Sequence, residues 1–317
     1  MTESSKFLKL FNQRLENEVT REHYWSQIRN FLKELSEFSE FQGILGNRIE
    51  ISGNKVIVDI QISKTHQNRI KMFLDEQDIR SVPFSILADG FYEPFQSDIV
   101  IELGKVSNHF LDIGANMGFY SIALSAENAK LTVDSFEPQP NVFEILTSNI
   151  NLNEFPSRIH PHNTGLGTVK EEITMYIPRF TGTGGASFRN LHDDEGEAIQ
   201  IKVPVNVLDD LIKVEPDLIK IDVEGCELNV LQGGAQIIKS SKPTVVVELL
   251  RKWMKPFGHT PQMFLDVMLE QNYRCYAISV DRLNEIRRID NSTTETNFIF
   301  VHDLQEKHKV VLNRYTK

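Results

Sequence analysis

The sequence predicts an α/β protein, a mostly parallel sheet with helices on both faces, behind an N-terminal helical and β-hairpin extension. Two short apolar runs, Phe110 to Ile113 and Leu131 to Phe136, flank Gly114-Ala115-Asn116-Met117-Gly118 and a helical pattern, which reads as a β-α-β unit. Two later runs, Asp217 to Gly225 and Pro243 to Leu250, again carry acids toward their carboxyl ends. Helix-period segments between the runs give the alternation that builds a parallel sheet. The boundary is expected at residue 85, with 1–85 as the extension and 86–317 as the α/β domain.

A chain of 317 residues with 40% apolar content has material for a substantial core. The net charge of −10, with no basic run, argues against nucleic acid or an anionic membrane as partner. Cys226 and Cys275 form no metal or redox spacing and read as reduced thiols. The first 30 residues are studded with charge and no apolar stretch reaches the ~20 residues of a membrane helix. The expectation is a soluble, cytoplasmic protein.

Phe7, Leu8, Phe11 and Leu15, then Trp25, Ile28, Leu32 and Leu35, follow three- and four-residue steps and predict two amphipathic helices over residues 4 to 40. The second stripe has near-heptad spacing, so packing on the same chain and a homodimer seam are both open. Alternation on either side of Gly53-Asn54 predicts a hairpin. Residues 64 to 77 read as helical. Asp89 to Pro94 reads either as a turn and cap ahead of the first core strand or as an aromatic and an acid, Tyr92 and Glu93, at a helix leading into the nucleotide site.

The glycine turn points to a nucleoside ligand. Glycines let backbone approach a ligand, and an acid about 20 residues on can accept from ribose hydroxyls, a place filled by Glu137. Counting from Gly114, a dinucleotide fingerprint would need glycine where Asn116 stands, and Asp112 would repel a pyrophosphate. S-adenosylmethionine, with its sulfonium, amino acid tail and ribose, suits both acids.

A helix over 141–151 leads to a third strand, Arg158 to Asn163, whose end would face adenine. Glu172 to Ile177 and Ala198 to Val205 read as a ribbon bracketing Thr181 to Ser187, a surface loop or a lid. In the fourth strand Lys220, Asp222 and Glu224 alternate onto one side, where burial is tolerable only if they pair or serve a ligand. A helix over Cys226 to Lys239 contains Gly233-Gly234, a close approach or a weak point. Glu248 closes the fifth strand, His259 follows on a loop, and a helix spans Pro261 to Glu270. Tyr273 to Ser279 and Thr296 to His302 supply the last two strands; the tail from Asp303 carries no functional signal.

From about Gly90 to His302 the chain resembles the FkbM family of S-adenosylmethionine-dependent methyltransferases. The likeness rests on Tyr92-Glu93-Pro94, Asp112 to Gly118, Phe136-Glu137-Pro138, Leu208-Asp209-Asp210, Lys220 to Gly225 with Glu227 and Leu231, and Val247-Glu248. Thr164-Gly165-Leu166 departs from the family's usual alanine-containing segment. The resemblance implies a class I methyltransferase fold, Rossmann-like, with a seven-stranded sheet whose last strand is antiparallel. It also implies O-methylation of a hydroxyl on a sugar, glycan or secondary metabolite. On that likeness Glu93, Asp112, Gly114, Asn116, Gly118, Glu137, Pro138, Asn163 and Asp222 are expected at the cofactor, and Tyr120, Ser187 and Glu248 at the acceptor.

In-line displacement at a sulfonium methyl needs alignment, and an alcohol acceptor is helped by a base. Asp222 is the first candidate and His259 the second, with Lys220 and Glu224 setting orientation and ionisation. Asp222, Glu224, Glu248 and His259 also offer a ligand set for Mg²⁺, but carboxylates engaged by the cofactor make a metal-free site the expectation. A non-catalytic nucleoside-binding scaffold assembling through the N-terminal helices is the alternative; nucleic-acid base methylation and NAD chemistry fit the motifs less well.

Overall fold

The computed structural model describes residues 10, 13, 16, 18–44, 46–52, 55–63, 65–75, 78, 81–153, 155, 157–178, 185–191 and 198–316. The chain divides into two compact units, residues 1–49 and 50–317. The division expected at residue 85 falls inside the second unit.

Among its described residues the first unit holds the helix α1 (Arg21–Ile44), and it ends as β1 (Arg48–Ser52) begins. Phe7, Leu8, Phe11 and Leu15, the stripe of the other expected helix, lie outside the described residues, as does the Leu32 side chain. So does the expected Gly53-Asn54 turn.

In the second unit β2 (Lys55–Gln61) and β3 (Arg69–Leu74) pair antiparallel, with Val56 opposite Leu74 and Gln61 opposite Arg69. The helix expected over residues 64 to 77 is therefore corrected to a strand. Ile70 and Met72, two apart, are its fully buried side chains, and so short a segment does not separate helix from strand until a pairing partner decides.

The body then runs α2 (Val82–Asp89), α3 (Pro94–Lys105), β4 (His109–Ile113), α4 (Phe119–Glu127), β5 (Thr132–Phe136), α5 (Pro140–Leu152) and β6 (Ile159–His162). An excursion follows: β7 (Gly165–Leu166), β8 (Glu171–Ile177), β9 (Ile199–Asn206) and α6 (Leu208–Leu211). The chain returns through β10 (Leu218–Ile221), α7 (Glu227–Gly233), α8 (Ala235–Ser241), β11 (Thr244–Glu248) and α9 (Arg251–Met254). It closes with α10 (Pro261–Glu270), β12 (Tyr273–Ile278), β13 (Leu283–Ile286), β14 (Asn297–His302) and α11 (Glu306–Leu312).

The main sheet has the order β13-β12-β14-β11-β10-β4-β5-β6. β4 lies parallel to β5 and β10, β5 to β6 and β10 to β11, while β14 is antiparallel to both β11 and β12. The sheet thus holds eight strands rather than the seven expected; β13 is added at the edge, antiparallel to β12. β4, β10 and β11 are apolar on both faces, as strands sandwiched between helix layers must be, with Phe110, Leu111, Ile219, Val245 and Val246 at 1% exposure or less. Strand order reverses at β4, whose successor β5 lies on one side and β10 on the other, which opens a crevice at their carboxyl ends.

Two further expectations change in detail. The helix over Cys226 to Lys239 is broken at Gly234 into α7 and α8, and Gly233 packs so tightly on the Gly167 carbonyl that no Cβ would fit. The tail forms α11, whose buried His308 bridges the Ser107 hydroxyl (2.9 Å) and the Thr244 hydroxyl (2.7 Å). Both cysteines are free and buried, and no helix among the described residues is long and apolar enough to cross a membrane.

Candidate active site

A cavity of about 320 Å³ occupies the crevice at the strand tips. At one end the chain leaves β4 through Gly114, whose φ of +82° suits glycine and whose missing side chain leaves room for the Asp222 carbonyl. The turn is held by Phe136, whose carbonyl accepts from the N–H groups of Gly114 and Ala115, both at 3.0 Å. Glu137 then accepts from the N–H of Asn116 at 3.0 Å and of Gln139 at 2.9 Å. Burial outweighs these two donors and pushes its carboxyl up to about 7. Asp112 turns toward α4 and accepts from the Ser121 hydroxyl at 2.6 Å and N–H at 3.1 Å.

Two residues expected at the cofactor stand behind the wall. The Asn163 amide donates to the carbonyls of Glu137 (2.9 Å) and Pro138 (3.2 Å), so it props the backbone, and Thr164, Gly165 and Leu166 line the cavity beyond it. Gly118 starts α4 and does not line the cavity.

At the other end the expected strand through Gly225 stops at Ile221, and Asp222 to Gly225 form a turn instead of an alternating strand. The register sets Lys220 beside Asp112 on β4. The Lys220 ammonium reaches forward to Asp222 Oδ2 at 2.8 Å, and Asp222, Glu93 and Asp112 hold its pKa above the ordinary lysine value against the pull of burial. The turn is pinned three ways: Asp222 N–H donates to the Ile113 carbonyl (2.9 Å), Ser187 Oγ donates to the Glu224 carbonyl (2.7 Å) and Gly225 N–H donates to Glu227 (2.8 Å). Glu224 takes a positive φ of 53°, and Gly225, at φ +106°, has Trp253 and Phe257 against it where a Cβ would go. This turn brings Glu224 to Asp222 and Glu248, with one carboxylate oxygen from each within 4.8 Å of the others.

Burial first, then the neighbouring Asp222 and Glu248 charges, raise Glu224 to about 9; burial and Asp222 raise Glu248 to about 8. The three acids are spaced closely enough to share a cation. Lys220 already bonds Asp222, and all three acids line the cavity.

Glu93, in a left-handed conformation at the start of α3, accepts from Tyr120 at 2.6 Å and Gln96 at 2.7 Å. Tyr120 is thereby part of the wall and its hydroxyl is taken. Ser187 also lines the cavity, with its hydroxyl spent on Glu224; Thr181 to Gly184 lie outside the described residues. His259 does not line the cavity: its ring stacks beside Phe257 at 6.3 Å and its pKa is lowered by burial. Sequence reasoning gave no role to Glu227, which pins the turn, and left Tyr92, which lines the cavity, between a turn residue and a residue near the site.

The FkbM methyltransferase domain matches residues 112–275, just over half of the chain, and the chain belongs to that family. "Methyltransferase sdnD" of Sordaria araneosa is 26% identical over 216 residues, covering 58% of this chain and 81% of its own length. "Hexuronic acid methyltransferase AglP" of Haloferax volcanii is 27% identical over 152 residues, covering 48% of this chain and 59% of its own length. Among solved structures, an FkbM methyltransferase from Methylobacillus flagellatus KT aligns at 20% identity over 61% of this chain and 43% of its own, with a TM-score of 0.40. The protein is thus a methyltransferase, and S-adenosylmethionine is its cofactor.

Proposed function

We propose that this FkbM methyltransferase transfers a methyl group to a hydroxyl of a sugar, glycan or secondary metabolite, with Asp222 as the base. The observation that carries the reading is the Asp222 carboxylate at the cavity, bonded by Lys220 at 2.8 Å on one oxygen and flanked by Glu224 and Glu248. The relative named for hexuronic acid methylation supports a carbohydrate-type acceptor.

When bound, S-adenosylmethionine supplies an electrophilic methyl group on a sulfonium. The residues around it bind, orient and take the proton. Glu137, fixed by two backbone donors, keeps acceptor capacity for ribose hydroxyls. Gly114 and Asn116 give the methionine portion a backbone it can approach. Asp222 receives the acceptor's proton on the oxygen Lys220 leaves free, and Lys220 steadies its partner. Glu224 and Glu248, raised to about 9 and 8, hold their protons near neutral pH and serve as hydrogen-bond donors.

Asp222→Asn keeps size and removes the base. Turnover with labelled cofactor and fractionated cellular sugars and metabolites should fall by roughly 10²–10⁴-fold, with S-adenosylhomocysteine still binding in calorimetry. Wild-type turnover in that variant would remove Asp222 from the role.

A further inference from the structure

Most polar side chains on the cavity wall are already engaged. Tyr120 donates to Glu93, Ser187 donates to Glu224 and Lys220 donates to Asp222. Tyr92 differs. Its ring lines the cavity and is locked edge-on against Phe119 at 5.3 Å and Tyr120 at 6.3 Å. Its backbone carbonyl is tied to the Ser97 hydroxyl at 2.8 Å, and the next residue, Glu93, is in a left-handed conformation that turns the chain into α3. Yet among the described residues its phenol hydroxyl has no hydrogen-bond partner. A phenol held this way on the cavity wall is a donor open to a ligand in the cavity.

Resting on the O-methylation reading above, we infer that Tyr92 binds the acceptor, donating its phenol proton in a hydrogen bond to the hydroxyl that is methylated, and that this acceptor is a neutral glycoside. An alcohol oxygen has two lone pairs and one proton. One lone pair attacks, the proton faces Asp222, and the second lone pair takes the Tyr92 hydrogen bond, which fixes the oxygen's rotation. As the acceptor oxygen forms its bond to the methyl carbon, the carbon–sulfur bond breaks with its electron pair left on sulfur, and the acceptor's proton passes to Asp222. Tyr92 keeps its own proton throughout. Burial, followed by the charges of Glu93, Asp222, Glu248 and Glu224, pushes the phenol well above its ordinary range, so it works as a donor and not as a base.

Neutrality follows from the charges in the wall. Among the described residues lining the cavity Lys220 is the cation, and its ammonium is already bonded to Asp222, so an anionic ring would find no positive charge free to pair with. Tyr92 and Phe119 both line the cavity, and their ring carbons offer apolar surface on which the C–H face of a sugar can pack.

The test uses the full chain, tritiated S-adenosylmethionine and a mixture of neutral methyl glycosides, comparing wild type with Tyr92→Phe. The variant keeps the ring, so the melting temperature and the affinity for S-adenosylhomocysteine should match wild type. Its kcat/KM for the glycoside should drop about tenfold or more, chiefly through KM. Equal rates in the two proteins overturn the proposal. So does a parallel loss of S-adenosylhomocysteine affinity, which would make Tyr92 part of the cofactor wall. If wild type labels no glycoside, the inference falls while intact S-adenosylhomocysteine binding leaves the methyltransferase standing; loss of that binding as well would sink the cofactor reading.

Discussion

At the nucleoside end of the cavity Glu137 accepts from two backbone N–H groups and Asp112 accepts twice from Ser121. At the acceptor end Glu224 has no side-chain donor among the described residues, and Glu248 has Asp222 as its near neighbour. The first pair of acids is held in place by the fold before any ligand arrives. The second pair is held close by a strained turn and relies on protons, or on a ligand's positive charge, to relieve the crowding. Burial shows in both, but Glu137 stops at about 7 where Glu248 and Glu224 reach about 8 and 9. On the function proposed above, the contrast would separate recognition from chemistry: acids fixed by rigid donors would meet the nucleoside, and loosely satisfied charge would meet the reacting centre.

Gly114→Ala attacks the joint between the two ends, because its Cβ would overlap the Asp222 carbonyl and its φ would strain. Displacement of the joint by about 1 Å should cost at least ~100-fold in methyl transfer, with S-adenosylhomocysteine affinity falling alongside. If only turnover fell, the two ends would be less tightly joined than the contact implies.

The pH dependence sharpens the comparison from the acceptor side. Glu224 and Glu248 have folded-state values raised above the ordinary glutamate value, so the stability tied to their protonated forms is present at low pH. It is lost as pH climbs from about 4.5 toward 9. A sulfonium favours their ionised forms, so S-adenosylmethionine should bind up to about tenfold more tightly at pH 9 than at pH 6. S-adenosylhomocysteine, lacking the sulfonium, should change less, and calorimetry at the two pH values decides it. Equal pH dependence for the two ligands would mean that these acids do not face the sulfur.

The smallest effect is expected at His259. Its ring is outside the cavity wall, so His259→Gln should leave turnover within about twofold. A loss of tenfold or more would return His259 to the chemistry and imply a rearranged loop in the complex.

The glycine turn and the acids at the ends of β4, β5 and β11 were legible in the sequence. In an α/β chain a short apolar run that ends in charge marks a buried strand whose tip meets a ligand or water. Lys220, Asp222 and Glu224 were rightly grouped for the wrong reason. Alternation along a strand suggested a shared face, whereas the strand ends at Ile221 and a left-handed Glu224 brings its carboxylate round. β3 was misread because six residues, Arg69 to Leu74, have too few turns to declare a period, and β13 was missed because Leu283 to Ile286 is half polar and needs β12 beside it. Tyr92 was visible as a residue but not as a donor, since only the packed structure shows which hydroxyls have found partners.

The outer edge of β3 carries one more implication. Asn149 accepts from the Phe73 N–H at 2.9 Å, and Asn153 both accepts from the Lys71 N–H at 2.8 Å and donates to the Lys71 carbonyl at 2.7 Å. Side-chain amides of α5 thus stand where a neighbouring strand's backbone would be, and that margin is closed to strand addition by another molecule, a recurrent route to aggregation. Asn149 also donates to the carbonyl of Met117 at 2.9 Å. The small sheet and the glycine turn are therefore fastened by one amide, so that guarding against self-association and shaping the ligand's cradle are tasks of the same side chain.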